Sequence, residues 1–295
     1  MTALYHLALP IPEAERNARI YQGDLIVFRG FDAVVELTDR LRTHCINYLG
    51  KDPASAHNSM SPAEIDQAAE ALRASVKSDS QVDLAWRRVL SAIDTDLEKT
   101  YGDSIFVRVQ PPGPDTQGGR TGPLCAHRDT WGSNLPAQIN WWAPLFETTP
   151  ERTLALFPGF FTQLVENNSA GWNFQEMMQA HRTKRTLAYP LLPTANTAPD
   201  WGDALAISLL PGDLLCFSGA HLHASVPNTT SLTRLSFETR TVNGSDLAAG
   251  SGAPDVDGSA PFMTPQIFRN LATGERLGEL VKRPARYQAP KNGRT

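Results

Sequence analysis

From Ser104 to Val242 the chain is cut by proline and glycine into short apolar runs, and this punctuation restricts the fold more than any other feature. The runs are Ile105–Val109, Ala137–Leu145, Thr153–Phe157, Ala206–Leu210, Asp213–Phe217, His221–Val226 and Leu232–Val242. Each is strand-sized, and such runs separated by turn signals such as Pro211-Gly212-Asp213 predict a β-rich barrel or sandwich. Upstream the texture differs. Gly23–Phe28 reads as a strand. Ala33–Tyr48, Ile65–Val76 and Val82–Tyr101 carry apolar residues at helical spacing, and polar Lys51–Pro62 reads as a loop. Two irregular stretches, 161–203 and 244–264, are longer than ordinary connections, and the first is either a substrate cover or a packed surface excursion. The expected organisation is a single domain over 1–295. Residues 1–103 are its mixed N-terminal part, 104–243 the β core with a lid-like insertion at 161–203, and 244–295 a C-terminal extension.

Composition removes several classes of function. A net charge of −4 with 20% charged residues gives no electrostatic footprint for nucleic acid or an anionic membrane. The basic residues of Val281–Thr295 read as a solvated tail. Cys45, Cys125 and Cys216 are odd in number and widely spaced, so they form neither a disulfide framework nor a zinc knuckle. Cys125 shares strand parity with His127 and reads as a pocket residue or a small buried hydrophobe, and Cys216 reads as core. No run approaches the roughly 20 apolar residues of a membrane span, and no secretory signal pattern is visible. The expectation is a cytoplasmic monomer or homodimer acting on a small molecule.

The chemistry concentrates in His127-Arg128-Asp129 and in the run from Pro211 to Phe237. Residues two apart on an extended chain share a face, so His127 and Asp129 can reach one metal ion while Arg128 points away. Two histidines and one carboxylate leave open positions on an octahedral ion, which suits non-haem Fe(II). The third ligand comes from His221 or His223, which alternation cannot separate. Arg234 and Ser236 share a face on the next run, and an arginine fork with a hydroxyl beside it suits a carboxylate. If the runs before and after Pro227–Ser231 pair as a hairpin, that pair lies deeper than the metal. Arg240 has the same parity and reads as a reserve clamp or a structural ion pair. His6, His44, His57 and His181 have no partner at ligand spacing.

On these motifs the sequence resembles the Fe(II)- and 2-oxoglutarate-dependent oxygenases, in their phytanoyl-CoA-dioxygenase-like branch, over about Ile105–Val242. The His-x-Asp triplet, the distal histidine, the Arg-x-Ser eleven residues beyond His223, the Gly212-Asp213 turn and Asn228 carry it. The resemblance implies a mainly β fold with flanking helices (α+β), a double-stranded β-helix or jelly roll with N-terminal helices packed on it. It implies His127, Asp129 and His223 as iron ligands, and Arg234 assisted by Ser236 on the distal carboxylate of 2-oxoglutarate. Oxidation of the substrate by O2, with release of succinate and CO2, would follow. A carboxylate at Asp129, where similar halogenases place a small residue, implies hydroxylation or a related oxidation. Gln138 and Asn140 are candidates for the 2-oxoglutarate end of the site. Trp131, Arg108 and His221 are candidates for the substrate pocket. A zinc hydrolase on the same three ligands and a non-catalytic metal- and 2-oxoglutarate-binding module are the alternatives.

Overall fold

The computed structural model describes residues 2–113, 121–182, 190–260 and 267–279. The chain runs through strand β1 (Leu4–Leu7), helix α1 (Glu13–Tyr21), strand β2 (Leu25–Phe28) and helices α2 (Asp32–Leu49), α3 (Pro62–Ser78) and α4 (Ser80–Ala92). Helix α3 starts where Ser61 and Glu64 form a reciprocal capping box with Pro62 in the first turn. The Asp79 side chain then caps α4. The helix expected to reach Tyr101 stops at Ala92. Asp94 takes a positive φ of 64°, and Thr100–Gly102 is drawn off as a strand (β3) by pairing with a later one. Tertiary pairing there outweighs local periodicity.

The β-rich half supplies β4 (Phe106–Gln110), a short helix α5 (Thr130–Ser133), β5 (Gln138–Pro144), β6 (Leu154–Leu156), helix α6 (Phe174–Arg182), β7 (Leu205–Ile207), β8 (Leu214–Ser218), β9 (His223–Ser225), β10 (Arg234–Asn243), α7 (Gly244–Ala249) and β11 (Arg269–Asn270). A large sheet runs β1-β2-β8-β5-β10-β3-β11, with β4 also on β10, and a small sheet runs β7-β6-β9. The N-terminal part therefore extends the large sheet by two strands, and β2 pairs antiparallel with β8. Among the described residues no helix is long and apolar enough to cross a membrane.

Both faces of the large sheet are covered, and strand alternation assigns them. Ile26, Phe28, Trp141, Cys216, Leu235 and Phe237 join a core with α1 to α4. Trp141 is its centre: it meets Trp86 of α4 edge-on at 5.7 Å, stacks on Phe28, and donates Nε1–H to Thr241. On the other face Leu25, Val27, Trp142, Leu215 and Phe217 meet Leu154, Leu156 and Ile207 of the small sheet. The two facing sheets with helices outside are the double-stranded β-helix arrangement expected.

Two local expectations are corrected. Strands β9 and β10 do not pair as a hairpin. The former adds to β6 in the small sheet, and the latter lies between β5 and β4 in the large one. The chain from Val226 to Thr233 therefore crosses between sheets, with the Asn228 side chain donating to the carbonyls of Gln110 and Leu232. The His-x-Asp triplet is also not a regular strand. His127 forms a single antiparallel bridge with His223, and Asp129 is already helical (φ −64°, ψ −30°) as the N-cap of α5.

Because Trp141 joins the N-terminal helices to the sheet, Trp141→Ala is expected to cost roughly 3–5 kcal/mol of stability. An unchanged urea midpoint with an unchanged slope would contradict this packing role.

Candidate metal centre

His127 and His223 are brought face to face by their backbones. Each donates its N–H to the other's carbonyl at 3.0 Å, and the imidazole centroids lie 4.1 Å apart. Each ring is fixed in the same way from its own chain: His127 Nδ1 lies 2.8 Å from the Cys125 carbonyl, and His223 Nδ1 lies 2.9 Å from the His221 carbonyl. A carbonyl can only accept, so each Nδ1 carries the proton and each Nε2 keeps its lone pair for a metal. The helical turn at Asp129 swings its carboxylate towards the same point. Ligand atoms of His127, Asp129 and His223 all lie within 4.8 Å of one another.

Asp129 is oriented from behind. Asn140 donates to Asp129 Oδ2 at 2.5 Å, and Gln138 donates to Asn140 Oδ1 at 2.8 Å. Arg240 lies 4.0 Å from Asp129 Oδ1 and is itself anchored on Asp103 at 2.6 Å. Burial opposes ionisation of Asp129, but Arg240 and then the two histidines outweigh it and hold the carboxyl below its usual range. Burial first, and then the close approach of the His223 ring, pushes His127 down to about 4. The set is thus an ionised carboxylate with a neutral imidazole, as metal ligation requires.

The loop carrying these ligands is clamped beneath. Arg128, buried, bonds the carbonyls of Phe160, Gln163 and Ala220 and pairs with Asp257 at 3.2 Å. Asp257 also accepts from Trp131 Nε1 at 2.6 Å and from the Val165 N–H at 3.0 Å. One carboxylate from the C-terminal extension therefore holds the ligand turn and the start of the 161–203 insertion together.

A buried cation lies farther along β10. Arg234 is 2% exposed and bonds only neutral acceptors, the Thr153 carbonyl at 2.6 Å and Ser225 Oγ at 3.3 Å. Its Nε and the neighbouring Ser236 Oγ have no partner. Burial, helped by Arg108, pushes its pKa down to about 9. A buried guanidinium with a free N–H beside a free hydroxyl is incomplete without an anion.

These groups face one cavity of about 330 Å³, lined by both sheets and by residues of the insertion. His127, Asp129, His223, Arg234, Asn140 and Arg108 line it. Gln138 stands one step behind, donating to Asn140, and its own Oε1 has no partner. Trp131 and His221 do not line the cavity. Trp131 is wholly buried in a cluster with Phe157 and Leu222, its N–H spent on Asp257. His221 is buried against Phe161, with Nε2 on the Gly23 carbonyl at 3.0 Å, and is separated from the ligand cluster. Cys125 is exposed, contrary to either expectation for it, and Cys216 is core. Sequence reasoning missed Asp257 and Glu238. The latter lines the cavity on the Arg234 face of β10, paired to Arg108 at 2.6 Å.

No protein-family model and no curated protein sequence matches the chain. Among solved structures it is similar to EvdO2 from Micromonospora carbonacea var. aurantiaca complexed with 2-oxoglutarate (13% identity over 80% of this chain and 94% of that one, TM-score 0.47). It is also similar to SnoK, a non-haem alpha-ketoglutarate-dependent carbocyclase from nogalamycin biosynthesis (14%, 88% and 98%, 0.41). A third similar structure is EctD from S. alaskensis with bound Fe (17%, 84% and 81%, 0.40).

Asn140→Ala is expected to weaken Co(II) binding about tenfold or more by freeing Asp129, as read by titration calorimetry. Wild-type affinity would contradict the relay. Acid should also loosen the fold. The pKa values of His127 and His221 are depressed from 6.5 to about 4 and about 3, so the unfolded chain takes up protons first. Stability is full above pH 6.5 and falls as pH drops through that window. The fall should be shallower in His221→Gln, and a pH-independent melting temperature between pH 7 and 4 would contradict it.

Proposed function

We propose that this chain is an Fe(II)- and 2-oxoglutarate-dependent oxygenase that hydroxylates a small molecule, releasing succinate and CO2. The observation that carries this reading is Arg234. A two-histidine, one-carboxylate cluster alone would also suit zinc and a hydrolase. It would not account for a buried, incompletely bonded guanidinium in the same cavity, two residues from an unpartnered serine hydroxyl.

The residues fit both groups. Nε2 of His127, Nε2 of His223 and the Asp129 carboxylate would hold Fe(II), with Asn140 and Gln138 fixing the carboxylate. Arg234 and Ser236 would bind the distal carboxylate of 2-oxoglutarate, supplying the donors both side chains now leave unused. Bound iron with 2-oxoglutarate supplies O2 activation coupled to decarboxylation. Trp172, Phe174, Met177 and Leu192 of the insertion line the cavity and would exclude water from the reacting carbon. With a metal bound, the Asp129 carboxylate would be a third protein ligand, a role a small residue at this position could not take, which favours hydroxylation over halogenation.

Arg234→Met removes the charge-assisted bonds and should weaken 2-oxoglutarate binding at least tenfold, since such bonds are worth about 1.5–3 kcal/mol. Anaerobic titration of the Fe(II)-loaded protein measures this. Equal affinity in wild type and variant would overturn the assignment of Arg234, and no 2-oxoglutarate binding by wild type would overturn the function.

A further inference from the structure

The floor of the cavity carries one acidic group that neither the metal cluster nor Arg234 uses. Glu238 lies on the same face of β10 as Arg234 and Arg240, opposite Phe106 of β4 and Trp142 of β5 in the strand register. Its side chain is 37% exposed and lines the cavity. Arg108 forks onto it, Nη2 to Oε1 at 2.6 Å and Nε to Oε2 at 3.3 Å. Burial works against its ionisation, yet Arg108 holds its pKa below the usual range. A carboxylate oxygen accepts more than one hydrogen bond, so an ionised acceptor remains turned to the space where substrate must lie.

The charges around it restrict what that substrate is. Among the described residues at the cavity, Arg108 is matched by Glu238, Arg240 by Asp103, and Arg128 by Asp257. Arg234 and Asp129 complete a balanced set, and the doubly charged iron and 2-oxoglutarate of the proposed reaction cancel each other. A cationic substrate would find Glu238 already neutralised. An anionic one would meet Glu238 and Asp129 with only the Asp103-bound Arg240 to receive it. The insertion contributes apolar side chains to the lining: Trp172, Phe174, Met177, Met178 and Leu192.

We propose that the substrate is an uncharged, mainly apolar molecule bearing an alcohol or phenol hydroxyl, which donates to the carboxylate of Glu238 while its apolar body lies under the insertion. Glu238 is then a specificity residue of the oxygenase reading, on which this inference rests. The hydroxyl sets the register of the molecule, and the carbon oxidised is the one this anchor holds at the metal. An analogue without the donor forfeits a hydrogen bond to a charged acceptor, which is the basis of the discrimination.

The test uses phenylbutanol, butylbenzene, phenylbutanoate and phenylbutylammonium as probes on the full-length protein, following quenching of the cavity tryptophans Trp142 and Trp172. Phenylbutanol is expected to bind about tenfold or more tightly than each of the other three, the worth of a hydrogen bond to a charged acceptor. In Glu238→Gln the preference over butylbenzene should shrink. That variant leaves Arg108 unpaired and risks misfolding, so the doubly apolar Arg108→Met/Glu238→Leu protein is the second arm. It should bind butylbenzene as wild type does and lose the preference for the alcohol. Equal binding of alcohol and hydrocarbon by wild type, tighter binding of either ion, or a preference that survives in the double variant would overturn the proposal. The titrations are run without metal and again with Fe(II) and 2-oxoglutarate under anaerobic conditions. A preference without 2-oxoglutarate binding would sink the oxygenase reading and leave the hydroxyl site standing. 2-Oxoglutarate binding without the preference would do the reverse.

Discussion

Two backbone hydrogen bonds between His127 and His223 hold the site together. They join a segment that follows β4 to an edge strand of the small sheet, and they set two imidazoles 4.1 Å apart before any metal is considered. Everything else acts on that bridge. The carbonyls two residues upstream fix both rings, the turn into α5 delivers Asp129, and Arg128 and Asp257 lock the turn from below. A metal bound here would cost little ordering, because the fold has already oriented the three side chains.

Strand β10 carries the remaining chemistry. Its residues Leu235 and Phe237 belong to the core shared with the helices, while Arg234, Glu238 and Arg240 on the other face line the cavity, with Ser236 between the first two. One strand thus lays out, in order, a buried guanidinium, an unpartnered hydroxyl, a carboxylate and a guanidinium beside Asp129. Among the described residues that line the cavity, Arg108, Arg128 and Arg240 each have an acidic partner, which offsets the cost of burying them, whereas Arg234 bonds only neutral acceptors.

Local rules made much of this legible in the sequence. The apolar runs between turns correspond to β4 through β10, because alternation and punctuation are properties of each strand alone. The same parity that picked out Arg234 and Ser236 also contained Glu238, which was there to be read. Tertiary choices were not legible. Alternation could not say that β9 joins a different sheet from β10, nor that Thr100–Gly102 leaves a helical pattern to pair with β10. It could not show that Trp131 and His221 turn into the interior. Asp257 stands in an irregular stretch with no period at all, so its place under the ligand turn depends wholly on packing.

The most direct test of this account is the visible spectrum of the protein mixed anaerobically with Fe(II) and 2-oxoglutarate. A metal-to-ligand charge-transfer band is expected in wild type. It should be retained in His221→Ala, and lost or weakened in Asp129→Ala, His223→Ala and Arg234→Ala. Absence of the band at saturating iron and 2-oxoglutarate, or its survival in His223→Ala, would contradict the site described here.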